Sequence, residues 1–406
     1  MILNNDQEYI TSEAVNWYRN SSSMLFQIDG EAGTGKSVVL NAIVERLGLQ
    51  QNEVLPMAYT GQAAIVMRTK GLMQAVTCHS GLFDFVMEPV LDKVTSLPII
   101  DKQFNVPIMR KMFFPKDFKA YNSPVKLLII DEGWMVPYSF RKHIENTGIK
   151  TIVAGDMGQL PPVEEQPAYF IDGNVYHLSQ LMRQAETNPI VYLARRARRG
   201  LPIFPGLYGN NVFVCYDDEV NNDILRNANI VVCGRNATRE DINNTVRKEI
   251  IHTDSDVPIF GERMICKKNN WELAVNGISL ANGLVGTVVR PPKVSNYDGK
   301  CFTMDFLPDL LNVPFIDVKC DYQFLNAPFK EKQMIKMSKY SVGEKFDYAY
   351  ASTVHSCQGS EFMNGIYIEE SLPNHGIQQN LDYTAITRFR NSLIYVKKRP
   401  KVYYQF

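Results

Sequence analysis

The octapeptide Gly30-Glu-Ala-Gly-Thr-Gly-Lys36-Ser37 constrains this chain more than any other stretch. A mainly apolar segment, Met24 to Ile28, runs into it, and a helical pattern from Ser37 to Leu47 leaves it, with Val38, Ile43 and Leu47 on one face. Strand, glycine-rich turn and helix in that order make a phosphate cradle. The glycines, Gly30, Gly33 and Gly35, let the backbone curl so that successive N–H groups face an anion, with Thr34 between them. The helix N-terminus adds partial positive charge. Lys36 is placed to reach the β- and γ-phosphates, and the Ser37 hydroxyl to sit on Mg²⁺. The spacing predicts a site for a nucleoside triphosphate.

Hydrolysis needs a metal-holding carboxylate and a group that activates water. The stretch KLLIIDEGWM offers both, because Leu127 to Ile130 reads as a strand buried on both faces, with Asp131 and Glu132 at its carboxyl end. Asp131 is the second candidate metal ligand, and Glu132 the candidate base. A third strand, KTIVAGDMGQLPPV, ends in a polar turn whose Gln159 is placed to sense the γ-phosphate.

Composition sets outer limits. The 406 residues suggest two to four domains, and Lys+Arg equals Asp+Glu at 43 each, so a nucleic-acid partner requires a locally basic groove. Seven scattered cysteines without a C-x-x-C pair read as reduced thiols, with neither a disulfide framework nor a zinc site. No signal peptide and no apolar run of membrane-spanning length is visible, so the expected location is cytoplasmic.

Phosphoryl transfer gains on the order of 10³–10⁵ in rate from an arginine at the transition state. Two stretches offer one: Arg183 in LSQLMRQ, and Arg388 in YTAITRFRNS, at the end of a predicted helix before a strand from Leu393 to Val396. Together the chain resembles the superfamily 1 helicases, in particular their RecD/Dda-like branch. The matching blocks run in that family's order: Gln7 in LNNDQEYI, GEAGTGKS, YTGQAA, TCHS, IIDEGW, GDMGQLPPV, LMRQ, ASTVHSCQGSEF and YTAITR.

The resemblance implies an α/β fold of two RecA-like P-loop domains with parallel sheets, a small inserted β element and a small β-barrel insertion. Residues 1–180 would form the first domain, with the inserted element at about 84–125; residues 181–260 and 341–406 the second; and 261–340 the barrel, where short alternating stretches and Asn-Gly turns fit. It also implies that Gln7 reads adenine, that Gly359 and Glu361 join the nucleotide site, and that Arg183 and Arg388 reach ATP from across a cleft. DNA contacts fall to Thr60, His79, Thr353 and His355. Phe113 or Phe114 is the candidate strand-splitting wedge, an apolar plug on the first domain being the other reading. For the run ARRARRG (Arg195, Arg196, Arg198, Arg199) a nucleic-acid patch and a solvated surface are both open. Within IIDEGW, Gly133 and Trp134 depart from the usual pattern.

The implied activity is ATP- and Mg²⁺-dependent translocation on single-stranded DNA, 5′→3′ by resemblance, with separation of tailed or forked duplexes and a replication or single-strand-binding protein as partner. An RNA helicase and a nucleotide-dependent switch are the alternatives.

Overall fold

The computed structural model describes residues 3–400 except 93, 101–106, 108, 120–122, 164, 277, 295–299, 310, 338–342 and 372–376. In the first lobe the strands are β1 (Leu25–Gly30), β2 (Val54–Ala58), β3 (Val76–Thr77), the ribbon pair β4 (Phe83–Pro89) and β5 (Met109–Pro115), β6 (Leu127–Asp131), β7 (Lys150–Gly155) and β8 (Val175–Leu178). Six of them form one sheet, β3-β2-β6-β7-β1-β8, in which every pairing is parallel. The apolar run of β6 explains the layering. Leu127 and Ile129 join a core with Val39, Leu40 and Ile43 on one side, whereas Leu128 and Ile130 join Met57, Val153 and Tyr169 on the other. Each such side chain contributes about 1.5–3 kcal/mol on burial, which is why a fully apolar strand must lie between two layers.

On the helix Lys36–Leu47 the buried residues are Val39, Leu40 and Ile43. Val38, expected on the core face, instead lines a cleft at the sheet's carboxyl edge. Because the strands run the same way, the turn after β1, Asp131 at the end of β6 and Gly155 at the end of β7 emerge at that one edge.

The second lobe contains β9 (Gly206–Tyr208), β10 (Val212–Tyr216) and β11 (Val231–Cys233), then an excursion of β12 (Arg263–Cys266), β13 (Asn270–Val275), β14 (Ile278–Leu280), β15 (Val285–Val288), β16 (Lys293–Val294), β17 (Cys301–Pro308), β18 (Phe315–Asp321) and β19 (Phe346–Tyr348), and finally β20 (Ala351–Thr353), β21 (Phe362–Ile368) and β22 (Phe389–Lys397). Its sheet runs β20-β11-β21-β22-β10-β9, parallel except at the β10–β9 edge. Helices Pro189–Arg198 and Gln378–Ile386 bury Leu193, Ala194, Leu381 and Ala385 against it.

Within the excursion, β19-β12-β15-β17-β18 pair antiparallel. Asp321 N–H donates to the Glu344 carbonyl (2.8 Å) and Glu344 N–H to the Lys319 carbonyl (2.7 Å), joining the end of β18 to the entry of β19 and closing a ring around Phe302, Phe306, Phe315 and Phe346. Asn282-Gly283 makes a turn with Gly283 at φ +90°, whereas Gly277 of the other Asn-Gly pair lies outside the described residues. The ion pair of Asp347 with Arg239 (2.7 Å) roots this element in the second lobe, and Lys332, from the stretch between β18 and β19, adds a second cation to the same carboxylate (3.0 Å). Ile65, from the first-lobe helix Gly61–Thr69, packs into its apolar core. No helix among the described residues is long and apolar enough to cross a membrane.

Candidate active site

The loop between β1 and its helix has the conformation that the glycines anticipate. Gly33 and Gly35 are left-handed, at φ +86° and +84°. A Cβ on Gly35 would lie 2.5 Å from Gln7 Nε2 and 3.1 Å from Met182 Sδ, so glycine is required there on two counts. Lys36 Nζ donates to the Gly30 carbonyl (2.7 Å), and the Thr34 hydroxyl to that of Glu31 (2.8 Å). Gln7 is 3% exposed, and both ends of its amide are engaged. Its Nε2 donates to the Thr34 carbonyl (2.9 Å), and its Oε1 accepts from Asn4 N–H (3.1 Å) in the capping box of helix Asn5–Asn20. In this arrangement Gln7 braces the loop from behind.

In front of the loop lies a cleft of about 1060 Å³, lined by Gly33, Gly35, Lys36, Ser37, Asp131 and Glu132 from the first lobe, and by Gly359, Glu361 and Arg388 from the second. A cradle too tight for Cβ atoms, a lysine, a hydroxyl and a carboxylate at one edge fit a nucleoside triphosphate with a divalent cation. Glu132 sits at φ +54°, with its N–H donating to Asp131 Oδ1 (2.9 Å). Burial pushes the Glu132 carboxyl above its usual range, and the nearby Arg388 guanidinium only partly offsets this. A Cβ on Gly133 would come within 2.2 Å of Val153 Cγ1, which accounts for the glycine at that departure from the family pattern. Trp134 donates its indole N–H to the Gln159 carbonyl (3.0 Å).

The turn after β7 is gripped by the second lobe. Arg388 is 4% exposed, and its Nη2 donates to Gln159 Oε1 (3.3 Å), its Nε to the Thr384 carbonyl (3.0 Å) and its Nη1 to the Ser360 carbonyl (3.2 Å). Leu160 N–H donates to Thr384 Oγ1 (2.9 Å), and Gln358 Nε2 to the Leu160 carbonyl (2.8 Å). Arg183 opens the short helix Arg183–Glu186, and its side chain lies outside what is described; its neighbour Met182 donates its N–H to the Gly33 carbonyl (2.9 Å). Glu361 pairs with Lys70 (2.8 Å) from the first lobe and with Arg390. Lys70, which sequence reasoning missed, lines the cleft, and burial lowers its pKa.

The remaining predicted residues do not line this cleft. Thr60 caps helix Gly61–Thr69, its Oγ1 accepting from Ala63 N–H (3.2 Å), and a Cβ on Gly359 would stand 2.9 Å from that oxygen. His79 is half-buried among aromatic rings, with centroids at 4.7 Å from Phe140, 6.2 Å from Tyr59 and 6.5 Å from Phe113. Burial lowers the pKa of both His79 and the half-buried His355. Thr353 is 5% exposed, and its hydroxyl donates to Ser356 Oγ (2.9 Å) within the turn that carries His355. Phe113 and Phe114 are 42% and 46% exposed, at the foot of the β4–β5 ribbon, where they pair with Phe85 and Asp84.

In the ARRARRG run Arg199 is exposed, whereas the other three arginines have partners. Arg195 pairs with Glu31 (3.0 Å), Arg198 pairs with Asp156 (2.5 Å), and Arg196 donates to the Pro202 carbonyl (3.0 Å).

Comparison with known proteins fits this architecture. Residues 3–203 match the AAA domain family. Among solved structures the fold is similar to Pif1 helicase from Candida albicans (17% identity, 98% of this chain and 95% of that one, TM-score 0.52). It is also similar to Bacteroides Pif1 bound to single-stranded DNA (18%, 97% and 92%, 0.53) and to Bacteroides Pif1 in complex with ADP-AlF3 and single-stranded DNA (16%, 97% and 92%, 0.54).

Proposed function

We propose that this chain is a superfamily 1 helicase of the Pif1/RecD-like group, an ATP-dependent DNA helicase translocating 5′→3′ on single-stranded DNA and separating the duplex ahead. The observation that carries the reading is the cleft built from both lobes, with Lys36 and Glu132 on one wall and Arg388 on the other. Residues 1–180 would then act as one motor domain and 181–260 with β20 to β22 as the other; the barrel, expected over 261–340, takes in β19 (Phe346–Tyr348) as well and would travel with the second.

The roles follow from position. Lys36 and the loop N–H groups bind the phosphates. Ser37 and Asp131 would hold Mg²⁺, which would neutralise charge developing on the phosphate oxygens. Glu132 takes the proton of the attacking water, a task suited to a carboxyl whose pKa burial has raised. Arg388, anchored beside Gln159, stabilises the transition state from the opposite lobe. Closing on ATP and opening on products would shift grip between Thr60 and His79 on one lobe and His355 on the other. Phe113, beside His79, offers a ring for base stacking, worth roughly 1–3 kcal/mol per base. A replication or single-strand-binding protein is the partner class that such a motor would meet.

Strand displacement on DNA and RNA duplexes bearing a 5′ or a 3′ tail tests the reading. Displacement of the 5′-tailed DNA, with little activity on a 3′ tail or on RNA, is expected. Failure on every substrate, together with turnover that single-stranded DNA does not stimulate, would favour the nucleotide-dependent switch.

A further inference from the structure

We propose that Arg198, Asp156 and Tyr383 are positioning residues that register the phosphate loop against the second lobe, so that nucleotide affinity is set from across the cleft. This rests on the helicase reading only for the identity of the nucleotide. Asp156, at the end of the turn Gly155-Asp156, is 0% exposed, and such a carboxylate is costly unless it is paired and hydrogen-bonded. Its partners come from two second-lobe helices: Arg198 Nη1 at 2.5 Å from Oδ1, and the Tyr383 hydroxyl on Oδ2. Gly158 N–H adds a third donor (3.0 Å), and a Cβ on Gly158 would collide with the Arg198 guanidinium at 2.5 Å.

The same two side chains then reach the loop. Tyr383 Oη accepts the N–H of Ala32 (2.9 Å) while donating to Asp156, and burial keeps this phenol neutral, able to do both. Arg198 stands over the Tyr383 ring (5.3 Å) and 3.7 Å from Glu31, whose other oxygen pairs with Arg195 (3.0 Å). Glu31 and Ala32 are consecutive residues of the phosphate loop, and both line the cleft. The second lobe therefore holds the loop at two adjacent points through one buried carboxylate. Separating the lobes would strand Asp156 and release Ala32 together, so the contacts favour a loop geometry already matched to the opposite wall.

The test uses the full chain with Tyr383→Phe, Arg198→Ala and Arg198→Lys. Three quantities are read: affinity for a fluorescent ATP analogue, KM and kcat for ATP at saturating oligo-dT, and oligo-dT affinity across a salt series. Tyr383→Phe and Arg198→Ala should weaken analogue binding and raise KM roughly tenfold, the loss expected for one buried charge-assisted hydrogen bond, with kcat little changed. Arg198→Lys should recover part of that loss, and oligo-dT affinity and its salt slope should stay at the wild-type values. Unchanged analogue affinity in Tyr383→Phe overturns the proposal even if Arg198→Ala does not fold. A fall in oligo-dT affinity with a shallower salt slope in Arg198→Ala also overturns it, because that is the behaviour of a phosphate-contacting patch. Analogue binding needs no hydrolysis, so a wild-type protein that binds nucleotide but unwinds nothing would sink the helicase reading and leave this test standing.

Discussion

The indole of Trp134 donates to the backbone carbonyl of Gln159 at 3.0 Å, and the side chain of that glutamine accepts from Arg388 at 3.3 Å. One residue thus joins the chain just after Asp131 and Glu132 to the arginine of the opposite lobe. Trp134→Phe keeps most of the ring and removes the donor. Nucleotide affinity should hold, while DNA-stimulated turnover falls a fewfold, since one hydrogen bond is worth about 0.5–1.5 kcal/mol. Steady-state ATPase with and without oligo-dT measures it, and an unchanged stimulation ratio would contradict the coupling.

Glu132 carries a pH prediction. Its carboxyl is held above the usual glutamate range by burial, and only its ionised form accepts a proton from water. Turnover should therefore fall on acidification at a pH above that of an ordinary glutamate, about 4.3. The acid limb of the kcat profile reports this, and Glu132→Gln should lose turnover at every pH while still binding nucleotide.

The histidines point the other way. Burial depresses the pKa of His79 and His355, so both stay neutral until the pH drops below the ordinary histidine value of about 6.5. Oligo-dT affinity at fixed salt should be flat from about pH 8 to 6.5. A steady rise over that window would mean that protonated histidine contributes to binding.

The local part of this site was readable from sequence because each signal lies within a short span. Glycine spacing announced the loop, an apolar run ending in two acids announced Asp131 and Glu132, and the YTAITR block announced Arg388. What was not readable depends on pairs distant in the chain. Asp156 looked like a turn residue, and nothing near it pointed to Tyr383, 227 positions away. Arg195 and Arg198 share a helix face at i, i+3, yet the acids they meet, Glu31 and Asp156, come from the other lobe. Lys70 carried no motif at all. The position of Phe113 and Phe114 at the foot of the ribbon depended on strand register, which sequence specifies weakly in a two-stranded element.

That register sharpens the wedge question. Phe113 belongs to a ring cluster with His79 and Phe83, while Phe114, next along the strand, faces the opposite side. Phe113→Ala should weaken single-stranded DNA binding by roughly 1–3 kcal/mol and slow translocation and unwinding together. Phe114→Ala should slow unwinding alone if it separates strands. Stopped-flow translocation and unwinding assays on the same variants distinguish these outcomes, and wild-type rates from both would leave the rings as packing.

The central claim is that one ATP is completed by side chains from both lobes, and Arg388 tests it most directly. Its removal should leave affinity for a non-hydrolysable ATP analogue within a fewfold of wild type and lower DNA-stimulated kcat by on the order of 10³ or more. Lys36→Ala, from the loop itself, should instead lose nucleotide binding. Arg388→Ala turning over ATP at a near-normal rate would contradict the account.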